Sequence, residues 1–472
     1  MTPEFQDMAP LMFGGMVLFL LFGFPVAFSL VACGLSFAGI GVALGFFQPV
    51  FLENLPLRVF YGIMANELLL SIPFFTLMGA VLERSGLAED LLEGLGQAFG
   101  KLPGGLGYSV ILVGALLGAI TGTVAASVLA MGMISMPAML RTGYSPRFAT
   151  GSIAASGVIT QVIPPSLVLI VLAQVLQRSV GDMYLGAIGP SILQTLLFLA
   201  YVAFLSVFSP ATVPALPESA RTMHGWKLAR RIIKGVVPSL LLIFLMLVTM
   251  FMGLATPTEA GAMGTVGAML LALLHGRLNL RMLWQGTATT MRITAMVGFI
   301  LIGATVYSLV FAGLEGTHWV ERLLTDLPGG RLGFLVFVNV FIFILAFFLD
   351  FFEIAFIILP LLVPTAQALG IDMVWFGVML CVNMQTSFMH PPFGFALFYV
   401  RSIAPDSVKT RDIYWGAIPW LFLQLVLVVI TLGWPESVTY WVPGQAGGDP
   451  ASVIIDVPPP PPPTEEVPFR FD

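Results

Sequence analysis

The stretch "ASGVITQVIPPSLVLIV", Ala155–Val171, reads as an apolar helix interrupted by two adjacent prolines. Proline has no N–H, its ring clashes with the preceding turn, and the residue before it avoids the helical region. The stretch therefore predicts two half-helices. The first stops near Ile163, and the second restarts at once, because proline suits the first helical position. Helical bonds run from N–H to the carbonyl four residues back, so Pro164 and Pro165 free the carbonyls of Thr160 and Gln161. A second pair occurs in "NMQTSFMHPPFGFALF", Asn383–Phe398. There Pro391 and Pro392 stop a helix near His390 and free the carbonyls of Ser387 and Phe388.

The two pairs stand 227 residues apart (391 − 164 = 227). Pro137 and Pro364 share that offset, as do Gly143 and Gly370. "YLGAIGP" from Tyr184 matches "YWGAIP" from Tyr414, and "KLPGGLG" from Lys101 resembles "DLPGGRLG" from Asp326. Ordered landmarks at one spacing indicate an internal repeat. We divide the chain into a first repeat at 1–215, a basic loop at 216–235, a second repeat at 236–435 and a Pro-rich disordered tail at 436–472.

Of 472 residues, 58% are hydrophobic and 10% charged, and the mean hydropathy is +0.97. A water-facing surface needs more charge than that, so the class is all-α polytopic membrane protein. The basic loop carries Arg221, Lys227, Arg230, Arg231 and Lys234. The positive-inside rule makes it cytoplasmic and the N-terminus periplasmic. An odd number of crossings per half then makes the repeats inverted. The acidic start "MTPEFQDMAP" lacks the positive region of a signal peptide. The tail "VPPPPPPTEEVPFRFD" is expected to be extended, solvated and cytoplasmic.

Apolar runs predict helices over 57–83, 146–163, 166–178, 236–255, 293–312, 353–369, 374–389 and 393–403, among others. Segments beside both proline pairs fall short of the ~20 residues of a span, which points to re-entrant hairpins or broken helices. Residues 86–100 and 279–292 read as amphipathic helices along the interface.

At each break one half-helix ends in carbonyls and the next begins in N–H groups. Carbonyls with nearby hydroxyls suit a hard cation such as Na⁺, and a helix N-terminus suits a carboxylate. Ser152, Ser156, Thr160 and Gln161 flank the first break. Asn383, Gln385, Thr386, Ser387 and His390 flank the second. "GAITGTVAAS" supplies Thr121, Gly122 and Thr123 between apolar runs, and the offset from Thr123 reaches Asp350 (350 − 123 = 227). An ionisable residue at membrane depth is a functional candidate, and the alternative for Asp350 is a helix cap. Thr256-Pro257-Thr258-Glu259 reads as a capping box without further function. A single His with no metal-ligand spacing is no metal site, and "FGKL" around Lys101 fails as a phosphate loop. No catalytic cluster, nucleotide motif or nucleic-acid-binding patch appears, so the chain is not read as an enzyme.

Several of these stretches resemble one family. "IPFFTLMGAVLERSGLAEDL" (Ile72–Leu91), "GAITGTVAAS", "GLATPTEAGAMG", "DMYLGAIGP" and both proline-pair segments are similar to the large membrane subunit of tripartite ATP-independent periplasmic (TRAP) transporters. The resemblance covers about 10–435. It implies an elevator-type importer in a bacterial inner membrane, a small four-helix membrane subunit, a periplasmic substrate-binding protein and Na⁺ as coupling ion. Its implied substrates are organic acids, such as C4-dicarboxylates, 2-oxo acids or lactate. The ion-site positions it implies are Thr121, Gly122, Thr123, Gly157, Thr160, Asp350, Asn383, Thr386 and Ser387. Ser156, Gln161, Ser166, Gln385 and His390 are the candidates for substrate. Family members commonly have Thr where His390 stands and Gly where Ser387 stands. The alternative reading is a stand-alone ion-coupled organic anion permease or exporter.

Overall fold

The computed structural model describes residues 7–443 except Gly122, Asp326, Phe348 and Phe393, and except the side chains of Leu21, Ala88, Ile120 and Thr121. The predicted tip residue Gly122 and the Pro-rich tail beyond 443 lie outside the described residues.

Helices follow one another throughout, and no strand occurs among the described residues. The first half holds α1 (Met8–Leu21), α2 (Val26–Ala43), α3 (Ser71–Arg84), α4 (Leu87–Ala98), α5 (Gly105–Thr121), α6 (Val124–Arg141), α7 (Pro146–Val158), α8 (Leu167–Leu176) and α9 (Val180–Phe208). The second half holds α10 (Gly225–Phe251), α11 (Pro257–Leu274), α12 (Leu280–Gly313), α13 (Gly316–Thr325), α14 (Gly330–Leu345), α15 (Phe351–Ala368, with a π-turn at Ile354–Ile358), α16 (Met373–Met384), α17 (Phe395–Ile403) and α18 (Thr410–Gly433). The order corresponds element by element: α14 starts 225 residues after α5 (330 − 105 = 225) and α16 starts 227 after α7 (373 − 146 = 227).

The landmarks of the repeat have matching local geometry. Gly143 and Gly370 both take left-handed φ angles, 85° and 64°. Each closes a helix with the same pair of bonds. Gly143 N–H reaches Leu140 O and Tyr144 N–H reaches Met139 O; Gly370 N–H reaches Gln367 O and Ile371 N–H reaches Ala366 O. This is the Schellman arrangement, which a Cβ at the glycine would strain. Thr256 caps α11: its hydroxyl accepts from Glu259 N–H while the Glu259 carboxylate accepts from Thr256 N–H, the predicted capping box.

Among the described residues, eight helices are long and apolar enough to cross a membrane. The four beside the breaks are not: α7, α8, α16 and α17 have 13, 10, 12 and 9 residues. Every residue of Phe148–Val158 and of α16 is buried. Irregular backbone at membrane depth is tolerated only when protein surrounds it, and these two helices meet that condition.

Several sequence expectations need correction. The helices before the breaks stop at Val158 and Met384, in 3₁₀ turns Ile159–Gln161 and Gln385–Phe388, and do not reach Ile163 or His390. Nor do they restart on the prolines. Ser166 and Gly394 are the N-caps of α8 and α17. A serine N-cap satisfies an N–H that a proline start would leave to the backbone. The run 57–83 is split by a π-turn at Phe60–Met64 and a turn before Ser71. The basic loop is loop only to His224, because α10 begins at Gly225 and carries Lys227, Arg230, Arg231 and Lys234 on its first turns. Residues 279–292 are no separate interfacial helix. They form the first turns of α12, whose 34 residues span about 51 Å at ~1.5 Å per residue. Helix α13 was not foreseen. Helix α4 (86–100 in the sequence reading) buries Leu87, Leu91 and Leu92, and Arg231 of α10 pairs with its Asp90 and Glu93 at 2.9 and 2.7 Å.

Candidate functional site

The two breaks are built on crossing helices that trade small residues. Gly151 on α7 lies against Gly416 on α18, where a Cβ on Gly151 would stand 2.1 Å from Gly416 O and one on Gly416 would stand 2.2 Å from Arg147 O. The matching glycine of the other half, Gly186 on α9, lies against Val374 and Val378 of α16. Each Tyr-x-Gly-Ala motif thus packs its glycine on the broken helix of the other half. Its tyrosine reaches its own half's break: Tyr184 OH donates to Ser166 O at 3.4 Å and Tyr414 OH to Pro392 O at 3.5 Å.

In the first break, Ser152, Ser156, Thr160, Gln161 and Ser166 are buried. Ser156 Oγ donates to Ile153 O at 2.8 Å and Thr160 Oγ1 to Gly157 O at 2.8 Å. Their protons are committed to the helix, so each oxygen turns lone pairs outward as an acceptor. Ser166 Oγ accepts from Val168 N–H at 3.1 Å and donates to Gln161 O, a cap's role. Gly157 is where α6 approaches α7, since a Cβ there would meet Val128 Cγ2 at 2.2 Å. Gly114 and Gly118 let α5 lie against Ser156 and Thr160 in the same way.

In the second break, Thr386 Oγ1 donates to Asn383 O at 2.7 Å, as Thr160 does in the first. Asn383 Nδ2 donates to Asn339 O and Oδ1 on α14 at 2.8 and 3.1 Å. The imidazole of His390 is buried between Phe343 and Phe347, with ring centroids 4.3 Å away on each side. Asn383 Oδ1, Gln385 Nε2, Ser387 Oγ and both His390 ring nitrogens are buried without a hydrogen-bond partner. Such groups are costly in a protein interior, and clusters of them mark places where function sets the arrangement.

The breaks touch each other. Cys381 Sγ on α16 lies 3.5 Å from Gln161 O. Helix α9 ties both together from one face: Ser191 Oγ donates to Val162 O at 3.0 Å, and Gln194 Nε2 donates to Gln385 Oε1 at 2.8 Å. Gln424, the counterpart of Gln194 on α18 (424 − 194 = 230), is buried with both amide ends unpartnered. Sequence reasoning missed Ser191, Gln194 and Gln424, although the offset that linked Tyr184 to Tyr414 also links the two glutamines.

Asp350 is the N-cap of α15 and forms a capping box: Oδ1 accepts from Glu353 N–H at 3.0 Å and Glu353 Oε2 accepts from Asp350 N–H at 3.0 Å. Asp350 also lines a cavity of 350 Å³ together with Thr123 and Gln161. This cavity unites the tip before α6, the first break and the tip before α15, with Phe388 and Phe395 from the second break. Ser387 instead lines a separate 430 Å³ cavity beside Phe347 and Phe398. Ser156, Gly157, Thr160, Asn383, Thr386, Gln385 and His390 do not line the 350 Å³ cavity. The predicted set is therefore divided between a cavity wall and the buried breaks behind it.

Residues 13–437 match the family model of the tripartite ATP-independent periplasmic transporter, DctM component. The C4-dicarboxylate TRAP transporter large permease protein DctM of Pseudomonas aeruginosa is 30% identical over 406 residues, 85% of this chain and 92% of that one. The sialic acid TRAP transporter large permease protein SiaM of Vibrio cholerae is 28% identical over 411 residues, 86% of this chain and 93% of its own. The crystal structure of the Alcanivorax borkumensis YdaH transporter, described as having an unusual topology, superposes with a TM-score of 0.62 at 16% identity, over 82% of this chain and 90% of that one. That likeness supports the fold alone. The proline-broken hairpins, their order along the chain and the family match over nearly the whole described length agree, and the chain belongs to the DctM family of large permease components of TRAP transporters.

Proposed function

We propose that this TRAP permease imports organic acids by Na⁺ symport, working with a small four-helix membrane subunit and a periplasmic substrate-binding protein. The observation that carries the reading is the cavity in which Thr123 and Gln161 of one half meet Asp350 and Phe388 of the other. Behind its wall, the hydroxyl and carbonyl oxygens of Thr160 and Gly157, and of Asn383, Thr386 and Ser387, are the oxygen donors a hard cation takes. The N-termini of α8 and α17 and the unpartnered Gln385 Nε2 are the donors a carboxylate takes. In this reading the halves at 1–215 and 236–435 are inverted repeats, and the paired breaks move as one elevator unit. The protein lies in the bacterial inner membrane with its N-terminus periplasmic and the 216–235 region and tail cytoplasmic.

Uptake into proteoliposomes tests this. They hold the chain and its small subunit, with the binding protein and labelled carboxylates outside. The expected result is uptake that needs both an inward Na⁺ gradient and the binding protein. Uptake without the binding protein would mean a stand-alone permease, and uptake indifferent to Na⁺ would remove the ion assignment.

A further inference from the structure

Helix α10 sorts its side chains into faces. At about 100° per residue, Gly235, Ser239, Ile243 and Met246 fall together and are buried. Gly235 lies against Leu91 of α4, and Met246 against Gly264 of α11. The far side exposes an apolar stripe of Trp226, Ile233, Val237, Leu240 and Phe244, between 43% and 75%. Lys227, Arg230 and Lys234 occupy a sector about 60° wide along the edge of that stripe. These three cations are exposed, and among the described residues none of them forms an ion pair. Arg231, one turn after Lys227, faces α4 instead, where Asp90 and Glu93 neutralise it.

Composition sets the depth of the stripe. Residues 235–251 carry no charge (251 − 235 + 1 = 17 residues), about 26 Å of helix at ~1.5 Å per residue, close to the ~30 Å hydrocarbon layer. Lys234 therefore stands where that layer ends, with Arg230 and Lys227 about 6 and 10 Å further out, in reach of the headgroups. Topology requires only that positive charge lie on one side of the membrane. Here the charges stand in line with exposed apolar side chains. One molecule can lay its chains on Ile233, Val237 and Phe244 and set a phosphate among the cations, at the level the Trp226 ring favours. A zwitterionic headgroup brings a cation of its own to these three, and an anionic one does not. Each Lys or Arg at such a surface is worth about fivefold in binding anionic lipid.

We infer that the exposed face of α10 is a binding site for an anionic phospholipid, whose phosphate Lys227, Arg230 and Lys234 hold. Val237→Cys labelled with bimane puts a reporter on the stripe, since both native cysteines are buried. The full chain, alone and with its small subunit, is placed in phosphatidylcholine nanodiscs. Phosphatidylglycerol or phosphatidylcholine with brominated chains is included at equal mole fraction, and bimane quenching reads occupancy. Phosphatidylglycerol is expected to occupy the site at least about tenfold more strongly. Lys227→Gln, Arg230→Gln and Lys234→Gln together are expected to bring the two lipids within about twofold. Arg277→Gln with Arg281→Gln removes exposed charge at the α11–α12 turn and is expected to leave the preference intact. Equal quenching by the two lipids in the chain with all its cations, or a preference that survives the triple substitution, would overturn the inference. So would a preference lost equally in the Arg277, Arg281 variant, which would make it follow net charge. A preference that inorganic phosphate abolishes where chloride at matched ionic strength does not, or that the small subunit removes by covering α10, would overturn it as well.

Discussion

Gln194 spends one amide proton on Gln385 across the two halves, and both side chains are fully buried. Gln194→Leu leaves the Gln385 carbonyl oxygen unpaired in the interior, a loss of about 1–3 kcal/mol. A lower melting temperature in purified protein is the expected result, and an unchanged one would show that the pair does not bind the halves together. Asp350 separates into two roles by a smaller change. Asparagine is as good an N-cap as aspartate, so Asp350→Asn keeps the cap and removes the charge. Its stability is expected to stay within about 0.5 kcal/mol of wild type, read as a nearly unchanged melting temperature, while Na⁺-dependent uptake is lost. Full uptake would make Asp350 a cap and nothing more. At this scale the sequence was informative about Thr123, Gln161 and Asp350, because residue spacing alone put them at corresponding breaks and tips. It was silent on the aromatic wall of the cavity they line. Phe residues are common in this chain, 39 in all, and only tertiary packing turns Phe352 and Phe388 toward one space.

The broken helices depend on glycine at their crossings. Gly151→Val drives a side chain into the carbonyl of Gly416, which sits 2.1 Å from the position of a Cβ. Overpacking of this kind costs about 1–3 kcal/mol, so lower thermal stability of the purified chain is expected. Gly298 on α12 has nothing within 4 Å of its Cβ position, and Gly298→Ala is expected to leave stability unchanged or raise it by up to about 1 kcal/mol. Equal losses in the two variants would contradict the crossing argument. The existence of the breaks was legible because proline removes a donor wherever it stands. Their extent was not. A 3₁₀ turn after Val158 and the cap at Ser166 are settled by local competition between a hydroxyl and the backbone, which proline position does not encode. The continuity of α12 was missed for a related reason: Arg281, Gln285 and Arg292 interrupt its apolar pattern, yet a helix 34 residues long extends beyond the hydrocarbon layer, where such residues are at ease.

For the whole molecule, the order of the two halves was readable from punctuation, since glycine and proline landmarks survive where apolar residues are interchangeable, whereas α13 and the continuity of α12 were not. The proposed orientation rests on the charge of the central segment and has a direct test. Both native cysteines, Cys33 and Cys381, are buried, so a single cysteine placed at Met223 stands against a low background. A membrane-impermeant thiol reagent is expected to spare it in intact cells and label it in inverted vesicles. Labelling in intact cells would reverse the topology. The central claim is that the two breaks form one ion-dependent site, and the most direct measurement is the melting temperature of the purified chain in Na⁺ against K⁺. Binding to the folded state alone stabilises by about 1.4 kcal/mol at a tenfold excess over Kd. Na⁺ is expected to raise the melting temperature where K⁺ does not, and Thr160→Ala in the first break and Asn383→Ala in the second are each expected to abolish the difference. Equal melting in the two salts, or a Na⁺ effect that survives both substitutions, would contradict it.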